Sequence, residues 1–318
     1  MAGARVIVIG SINRDLIVRL PRLPAAGETV VGGVLSLQHG GKGANQAVAA
    51  ARVGARATLI GAVGTADGQD SLDALAVECV DVTQVLRCDA PTGTAVVLVD
   101  EQTGENQIAV VPGANALLSV AHVDSVLREV ALGPGDVVVL SCELPLAPLQ
   151  FAADLAREFG ARLVVNPAPA RPGFTDILPG ALVTPNAAEL ASLAQGSEPR
   201  EAMLALAART GQPVLVTLGP DGALLADSGQ VTRFPAHEVE ARDTTGAGDT
   251  VTGVLAASLA QGRDLPTAVR RAVAAAALAV TREGARAGMP TSAEIDRLLR
   301  SAARPRGSRP GSAPTSPR

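Results

Sequence analysis

Short runs of apolar, often β-branched residues recur along the chain and alternate with Ala- and Leu-rich segments of helical character, such as 44–53 and 146–159. Strands that alternate with helices form βαβ units, in which a parallel sheet is covered by helices on both faces. The sequence therefore predicts an α/β fold with a doubly wound, mostly parallel sheet. The predicted strands are 6–9, 57–60, 137–140, 162–165, 181–184 and 214–217.

Two stretches depart from this alternation and predict antiparallel hairpins. They are 16–38 and 94–111, the second with alternating Val and Ile content around Thr103-Gly104. Ligands bind at the carboxyl ends of the strands in a parallel sheet, so hairpins that project from that edge can cover the site. We expect one domain, 1–301, with a small β-sheet lid formed by about 14–39 and 92–112.

The composition changes at the end of the chain. Residues 302–318 are rich in Arg, Pro and Ser, with too few apolar side chains to bury a core. We predict a disordered tail in this segment.

The overall composition excludes several classes of protein. Hydrophobic residues make up 47% of the chain and charged residues 18%, which is enough apolar material for a sizeable core. The net charge of −4 offers no basic excess for nucleic acid, and no apolar run reaches the ~18 residues of a membrane span. The N-terminus lacks a signal-peptide layout, so we expect a cytoplasmic protein without nucleic-acid or membrane partners. The three cysteines and three histidines lack the spacing of a disulfide framework or a zinc site.

The use of basic residues singles out one position. Lysine and arginine together number 27, and Lys42 is the one lysine among them. The abundance of Ala, Gly, Pro and Arg indicates a GC-rich genome, in which Arg replaces Lys wherever it is tolerated. An ammonium group is a compact point charge, whereas a planar guanidinium needs a wider slot. We therefore expect Lys42 to lie in a crowded polar pocket.

Asparagine is also scarce, and each occurrence lies beside a Gly, a Pro or a sharply polar turn. Asn favours turns in any protein, which explains each residue equally well when it is taken alone. As a set, these residues are better explained by a polar site. They are Asn13, Asn45, Asn106, Asn115, Asn166 and Asn186.

The strongest chemical signal is the segment Asp243-Thr-Thr-Gly-Ala-Gly-Asp-Thr250, which precedes a helix-like stretch. A Gly-rich turn that opens a helix offers free backbone N–H groups and the positive end of the helix dipole, which bind phosphate or a developing oxyanion. Asp249 is either a favourable partner for that dipole or a general base beside the anion site. As a base, it would take a proton from a hydroxyl that attacks a phosphoryl group.

A second Gly-rich helix entry, Gly40-Gly-Lys-Gly-Ala-Asn45, lets polyol hydroxyls approach the backbone while Lys42 and Asn45 bind them. A plain helix N-terminus is the alternative. Asn13 and Asp15 follow the first strand, where they are either turn residues or ligands for sugar hydroxyls. The chain contains no G-x-x-x-x-G-K-[ST] phosphate loop, so a nucleotide must be bound by another scheme.

In this order, the motifs resemble the ribokinase family of carbohydrate kinases, also called the PfkB family, over 4–300. The segments 40–55 and 243–250 resemble its two signatures, and 113–116 and 166–170 resemble its ribose-specific members. The resemblance implies a doubly wound α/β domain and a β lid that also forms a homodimer interface. It also implies phosphate transfer from MgATP to the 5-hydroxyl of D-ribose.

The resemblance assigns a role to individual positions of this chain. Asp249 matches the catalytic base, and the amides of Gly246, Ala247 and Gly248 match the anion hole. The positions that match ribose-binding residues are Asn13, Asp15, Gly41, Lys42, Gly43, Asn45, Glu143 and Asp249. Those that match ATP contacts are Asn186, Thr217, Leu218, Gly219, Pro220, Asp221, Gly222, Gly248 and Val273.

The resemblance also implies two metal ions. Glu189, in Asn186-Ala-Ala-Glu189, matches a residue associated with Mg²⁺. A potassium ion would be bound largely by backbone carbonyls, which tolerate varied side chains. The matching positions are Asp243, Thr245, Ala279, Arg282, Gly284 and Gly288.

Three residues depart from the family pattern. Val273 replaces a polar residue near the adenine, which leaves room for apolar stacking, and Pro220 removes a backbone donor from the nucleotide loop. Arg14 is bulkier than the residue in some relatives, and we expect it to point away from the sugar.

Two alternatives remain open from the sequence. The first is a kinase of the same family for 2-deoxyribose, fructose or a nucleoside, although a nucleoside kinase would be expected to offer aromatic surface in the lid. The second is a catalytically silent regulator that binds a sugar or a nucleotide. Such a regulator would be expected to lack the base or an anion-hole glycine, and this chain has both.

Overall fold

The computed structural model describes residues 5–103, 105–171, 173–194 and 198–302. The strands are β1 (Arg5–Ile9), β2 (Asn13–Leu20), β3 (Val34–Gly40), β4 (Arg56–Ile60), β5 (Ala62–Gly64), β6 (Leu86–Cys88), β7 (Gly93–Asp100), β8 (Asn106–Val111), β9 (Val137–Ser141), β10 (Arg162–Asn166), β11 (Ala181–Val183), β12 (Val214–Thr217), β13 (Ala223–Asp227) and β14 (Gln230–Phe234). The helices are α1 (Lys42–Arg52), α2 (Gln69–Val77), α3 (Val120–Glu129), α4 (Leu146–Glu158), α5 (Ala187–Ala194), α6 (Pro199–Thr210), α7 (Ala247–Ala260), α8 (Leu265–Ala279), α9 (Ala285–Gly288) and α10 (Ser292–Ala302).

The central sheet has eight strands in the order β14-β13-β12-β11-β10-β9-β1-β4. The six strands from β12 to β4 in that order run parallel, and all six were predicted from the sequence. Strands β13 and β14 add an antiparallel edge that the sequence analysis missed. Each of these two strands has five residues, and a tight turn at Ser228-Gly229 joins them. Strands this short show little alternation of apolar and polar residues.

Helices cover both faces of this sheet because the inner strands are apolar on both sides. In β1, Val6 and Val8 belong to one core cluster, whereas Ile7 and Ile9 belong to the other. The first core contains residues of α1, α7 and α8, and the second contains residues of α3, α4 and α6. Successive side chains of a strand point to opposite faces, so a continuous apolar run is what a doubly covered strand requires.

A separate sheet of four strands, β3-β2-β7-β8, is formed by the two hairpins expected from the sequence. Strands β2 and β7 join the hairpins in parallel. The register places Leu16 beside Leu37 and Val96, and Val18 beside Leu35, on the face opposite to Asp15. One face of this sheet is therefore lined by aliphatic side chains.

The predicted tail from 302 onward lies outside the described residues except for Ala302, the last residue of α10. In the part of the chain that the structure describes, no helix has both the length and the apolar character needed to cross a membrane.

Candidate active site

The polar residues singled out in the sequence converge at the carboxyl edge of the central sheet. Asn13 and Asp15 lie at the start of β2, just after β1, and Glu143 follows β9. Helix α1 begins at Lys42, and Asp249 lies in the first turn of α7. Two helix N-termini and two strand ends therefore meet at one site.

Glycines allow α1 to begin against the end of β1. A Cβ at Gly10 would come within 2.5 Å of the Gly43 Cα, and one at Gly41 within 2.6 Å of the Ser11 carbonyl oxygen. Gly41 also has a φ of 91°, which L side chains rarely adopt. The Gly-rich segment thus brings the α1 backbone directly onto the backbone that follows β1.

Asp249 is 7% exposed, and side-chain amides bind both of its carboxylate oxygens. Asn45 Nδ2 donates to Oδ2 at 3.0 Å, and Gln46 Nε2 donates to Oδ1 at 3.0 Å. Burial raises the pKa of Asp249, although Lys42 and the two amides oppose this by stabilising the carboxylate. An ionisable group with these properties is suited to accept a proton.

Gln46 was not singled out by the sequence analysis, yet it connects Asp249 to a buried polar network. Its side chain is fully buried, and its Nε2 also donates to Asn166 Oδ1 at 3.2 Å. Asn166 in turn donates to the Thr184 carbonyl at 3.0 Å, and the Thr184 and Thr252 hydroxyls lie 3.0 Å apart. This network holds the carboxylate of Asp249 in one orientation.

The acceptor side of the site contains Asp15 and Glu143. Ser11 Oγ donates to Glu143 Oε2 at 2.5 Å, and the Lys42 amide lies 3.4 Å from the same oxygen. Burial and the negative charges of Glu143 and Asp249 raise the pKa of Asp15 to about 6. Asp15 Oδ1 is buried and has no hydrogen-bond partner within the described residues. This carboxylate oxygen is available to a ligand hydroxyl.

Asn115 fixes the backbone that carries Asn13. Its Oδ1 accepts from the Ile12 amide at 3.0 Å, and its Nδ2 donates to the Ile12 carbonyl at 3.1 Å and to Asn13 Oδ1 at 2.9 Å. The scarcity of asparagine was the sequence signal that pointed to it. Arg14 pairs with Asp67 at 3.2 Å, on the face of β2 opposite to Asp15.

Lys42 opens onto a cavity of about 170 Å³ that also contains Asp249. Burial lowers the pKa of Lys42, but Asp249, Glu143 and Glu189 raise it by more, so the ammonium stays charged. Among the residues that line the cavity, the Lys42 ammonium thus accompanies two carboxylates, Glu189 and Asp249. The cavity is lined by Lys42, Asn166, Ala168, Thr184, Asn186, Glu189, Thr217, Gly246, Gly248 and Asp249.

The N-terminus of α7 forms one wall of this cavity. Gly246 is the N-cap, with a φ of 76°, and a Cβ at Gly248 would meet no protein atom within 4 Å. The Ala247 amide donates to the Thr244 carbonyl at 3.2 Å, so it is not free in this structure. The open space above Gly248 is where an anion can approach the helix N-terminus.

Asn186 and Glu189 bind each other at the start of α5. The Asn186 amide donates to Glu189 Oε2 and the Glu189 amide donates to Asn186 Oδ1, both at 2.8 Å. This is a capping box, so the N-x-x-E spacing has a structural role. Both side chains also line the cavity, and burial raises the pKa of Glu189. Glu189 therefore offers a partly buried carboxylate at the cavity, and carboxylate oxygens are ligands that Mg²⁺ prefers.

The loop 217–222 lies beside Asn186. The Leu218 amide donates to the Gly222 carbonyl at 2.8 Å, and Gly219 and Gly222 have φ values of 58° and 89°. Pro220 lies in a short 3₁₀ turn, where its missing N–H has no intrahelical partner to lose. Val273, on α8, is 6% exposed and belongs to the first core cluster. Its contact with adenine stays a prediction.

The loop before α7 is tied to the one before α9 through Asp243. Its carboxylate accepts from the Thr245 amide at 2.9 Å and from the Gly284 amide at 2.8 Å. Burial raises the pKa of Asp243, but these hydrogen bonds lower it by more. Gly288 packs against the Ala279 carbonyl oxygen. A Cβ added at Gly288 would lie 2.3 Å from this oxygen.

A monovalent cation held by backbone carbonyls at these two loops stays a prediction. The Arg282 side chain pairs with Glu294 at 2.5 Å, and the Arg282 amide donates to the Ala279 carbonyl at 3.4 Å. Among the described residues, no cluster of three or more His, Cys, Asp or Glu side chains could hold a metal ion. The potassium site expected from the sequence would consist mainly of carbonyl oxygens.

Arg286, another residue missed by the sequence analysis, reaches into the site from α9. Its Nε donates to Asn45 Oδ1 at 3.0 Å and its Nη2 to the Gly40 carbonyl at 2.8 Å. No local pattern identifies it, because it lies 241 residues from Asn45 in the chain.

Comparison with known proteins places the chain among carbohydrate kinases. The sequence model of the pfkB family carbohydrate kinases matches residues 4–292. A ribokinase from Haemophilus influenzae is 34% identical over 92% of this chain and 97% of its own. The ribokinase structure from Thermotoga maritima superposes with a TM-score of 0.84, at 31% identity, over 93% of this chain and 99% of that one.

Other similar proteins are a ribokinase solved with ligands and two kinases with other names. The ribokinase of Arabidopsis thaliana, solved with ribose and ATP, has a TM-score of 0.79 at 29% identity and covers 94% of this chain and 99% of its own. A deoxyribokinase from Salmonella typhi is 30% identical over 92% of this chain and 98% of its own. Phosphofructokinase-2 from Escherichia coli, solved with potassium, has a TM-score of 0.79 at 26% identity over 96% of this chain and 100% of that one.

Proposed function

The chain belongs to the pfkB family of carbohydrate kinases, and on this basis we propose that it phosphorylates D-ribose at O5 with ATP as the donor. One observation carries the proposal: the buried Asp249 carboxylate lies between an acceptor pocket and the open N-terminus of α7. A base in that position has a hydroxyl on one side and a phosphoryl group on the other.

In the proposed reaction, Asp249 accepts the proton of the O5 hydroxyl. The oxygen lone pair forms a bond to the γ-phosphorus of ATP, and the bond between this phosphorus and the bridging oxygen breaks. ADP leaves with that electron pair, and Asp249 is left protonated. The raised pKa of Asp249 makes it a stronger base than an exposed carboxylate, while Asn45 and Gln46 keep it oriented.

Charge on the transferred group would be stabilised by the N-terminus of α7 at Gly246–Gly248 and by Lys42. Asn186, Glu189 and the loop 217–222 would hold the nucleotide end. Bound Mg²⁺ would neutralise the phosphates near Glu189, and K⁺ at the carbonyls beside Asp243 would fix the loop before α7. We expect both ions to be required for full activity.

The charges of the acceptor pocket favour a neutral sugar over a phosphorylated one. Asp15, Glu143 and Asp249 place three carboxylates there, against two cations, Lys42 and Arg286. A phosphate group already on the acceptor sugar would meet the net negative charge of this pocket. This charge balance argues against a fructose phosphate as the acceptor.

The open oxygen of Asp15 favours ribose over 2-deoxyribose. A carboxylate accepts hydrogen bonds from two adjacent hydroxyls, and Oδ1 has no partner within the described residues. An acceptor that lacks one hydroxyl would leave this buried oxygen unpaired, at a cost of ~1–3 kcal/mol. 2-Deoxyribose, the acceptor named for one relative, is the second candidate.

The aliphatic face of the four-stranded sheet supports a homodimer formed through the lid. Leu35 and Leu37 are each 61% exposed, and they share their face with Leu16, Val18 and Val96. A contiguous exposed apolar patch is expected to be covered in solution. A second copy of the same face, paired about a two-fold axis, would bury it.

A coupled assay of ADP release over an acceptor panel tests the proposed reaction. The panel consists of D-ribose, 2-deoxy-D-ribose, D-fructose, fructose 6-phosphate and adenosine, each with ATP, Mg²⁺ and either K⁺ or Na⁺. We expect the highest kcat/KM for D-ribose, a lower value for 2-deoxy-D-ribose and stimulation by K⁺. Absence of turnover with D-ribose, or a higher kcat/KM with any other acceptor, would refute the assignment.

A further inference from the structure

Arg286 connects α9 to the Gly-rich segment 40–45. One guanidinium binds the side chain of Asn45 and the backbone of Gly40, at 3.0 and 2.8 Å. Arg286 is anchored in turn, because Arg52 Nη1 donates to its carbonyl at 2.6 Å. The Gly284 amide, one residue before α9, is held by Asp243 at 2.8 Å.

The contact between Arg286 and Asn45 supports one orientation of the Asn45 amide. Its Oδ1 accepts from Arg286 Nε, so its Nδ2 faces Asp249 Oδ2. The reverse orientation would place the amide oxygen against the carboxylate and the NH₂ group against the guanidinium. Both contacts would then be repulsive. Arg286 and Asp249 together therefore fix the orientation of the Asn45 amide.

Arg286 also lies beside Asp15. Gly40 separates the two side chains: Arg286 binds its carbonyl, and the Asp15 carboxylate packs where a Cβ of Gly40 would be. One atom of each side chain, Arg286 Nη1 and Asp15 Oδ1, is buried without a hydrogen-bond partner in the described part of the chain. Near Gly40, the pair thus leaves one donor and one acceptor without a partner in the described part of the chain.

We propose that Arg286 is a positioning residue for the acceptor sugar: it orients the Asn45 amide and offsets the negative charge of Asp15. The inference rests on the proposed sugar kinase activity and adds a residue that the sequence motifs do not contain. Its two parts, orientation and charge, can be separated by substitution. The planar guanidinium group, with its several donors, provides the orientation, whereas any cationic side chain provides the charge.

Other charged groups also face Asp15. Glu143 and Asp249 raise its pKa and Arg286 lowers it. Lys42 stays charged beside Asp249, and burial lowers the pKa of His39 on β3, which favours its neutral form. Removing the charge of Arg286 therefore raises the pH at which Asp15 ionises.

The test measures D-ribose affinity by calorimetry without nucleotide, from pH 5 to 8.5, for Arg286→Gln and Arg286→Lys. The control is Arg297→Gln, an exposed arginine on α10. We expect Arg286→Gln to weaken ribose binding about tenfold or more and to move the pH midpoint of binding upward by about one unit, which corresponds to one charge partner lost. Arg286→Lys should weaken binding but keep the midpoint, and Arg297→Gln should change neither.

Two results would overturn the proposal. The first is ribose affinity within twofold of wild type and an unchanged pH midpoint in Arg286→Gln. The second is an equal loss of ATP affinity and ribose affinity, which would indicate a general structural role. If Arg286→Gln does not fold, unchanged ribose affinity in Arg286→Lys overturns it. A wild-type protein that does not turn over ribose refutes the proposed function instead, so the two failures are distinguishable.

Discussion

Asn45 Nδ2 donates a hydrogen bond to Asp249 Oδ2 at 3.0 Å, across 204 residues of sequence. The contact joins the two Gly-rich helix entries, one of which we propose to bind the acceptor and the other the transferred phosphate. The proposed base therefore belongs to both parts of the site.

Replacement of Asp249 by Asn tests the base. Asparagine preserves the shape of the side chain but cannot accept the proton, so we expect kcat to fall by about 10³-fold while ribose binding remains. In the wild type the base must be ionised, and its pKa is raised, so activity should be lost as the pH falls through that pKa. Stopped assays of ADP formation measure kcat, and calorimetry measures ribose affinity. Turnover close to wild type in Asp249→Asn would exclude the proposed role.

Replacement of Gln46 by Met tests the orientation of the base. The substitution removes the donor to Asp249 Oδ1 with little change in volume. That hydrogen bond lowers the pKa of Asp249, so its loss should raise the pKa and move the acid limb of the kcat profile to higher pH. We expect about a tenfold lower kcat at pH 7 that recovers partly at pH 9. Gln69→Met, on the exposed start of α2, is the control and should leave the profile unchanged.

Replacement of Asp15 by Asn separates stability from binding. The pKa of Asp15 is raised to about 6 in the folded protein, so its ionisation opposes folding as the pH rises from about 4 through 6. Above pH 6 the ligand-free Asp15→Asn protein should be more stable by about 2 kcal/mol, and below pH 4 the gain should vanish. Ribose binding should weaken strongly. Urea denaturation at pH 5 and 8 measures the difference, and a lower stability of the variant at pH 8 would contradict the prediction.

Two glycine substitutions should affect different properties: one should lower stability and the other should lower activity. Gly43→Ala would bring a Cβ into the Gly10 backbone, and we expect a loss of about 1–3 kcal/mol in the free energy of unfolding. Gly248→Ala meets no protein atom, so it should fold normally, but its methyl group would occupy the space proposed for the transferred phosphoryl group. We expect its kcat to fall at least tenfold with an unchanged melting temperature. Thermal unfolding and steady-state kinetics of both variants test the pair.

The lid face can be tested by placing a charge on it. Leu35→Glu puts a carboxylate on the exposed aliphatic face, and we expect it to shift the protein from dimer to monomer. Val77→Glu changes a residue that is 83% exposed on α2, outside the four-stranded sheet, and should not alter the assembly. Sedimentation velocity measures the mass of both. A wild-type monomer, or an intact dimer in Leu35→Glu, would refute the proposed interface.

The α/β architecture could be predicted because its signals are local. Each inner strand is an apolar run of about five residues, and each covering helix has its own periodicity, so both are visible in short windows of sequence. The β13 and β14 hairpin was missed for the same reason. Its strands are short, and β14 is partly exposed, so its pattern resembles that of a loop.

The motif residues of the candidate site were also visible locally. Gly41 and Gly43 are needed where α1 contacts the backbone after β1, and Gly246 is needed for a positive φ before α7. Such backbone requirements fix the residue type at a fixed spacing, and Asp249 follows from its place in the first turn. The scarcity of Lys and Asn directed attention to Lys42 and, less sharply, to Asn115.

The sequence by itself determined the fold class, the two Gly-rich helix entries and the carboxylate between them, because periodicity and glycine geometry act over a few residues. Only the tertiary structure decided which side chains complete the site. Gln46 faces the base because of the rotation of α1, and Arg286 reaches Asn45 from 241 residues away. Contacts between distant elements depend on how those elements pack, and no local pattern of the chain encodes that packing.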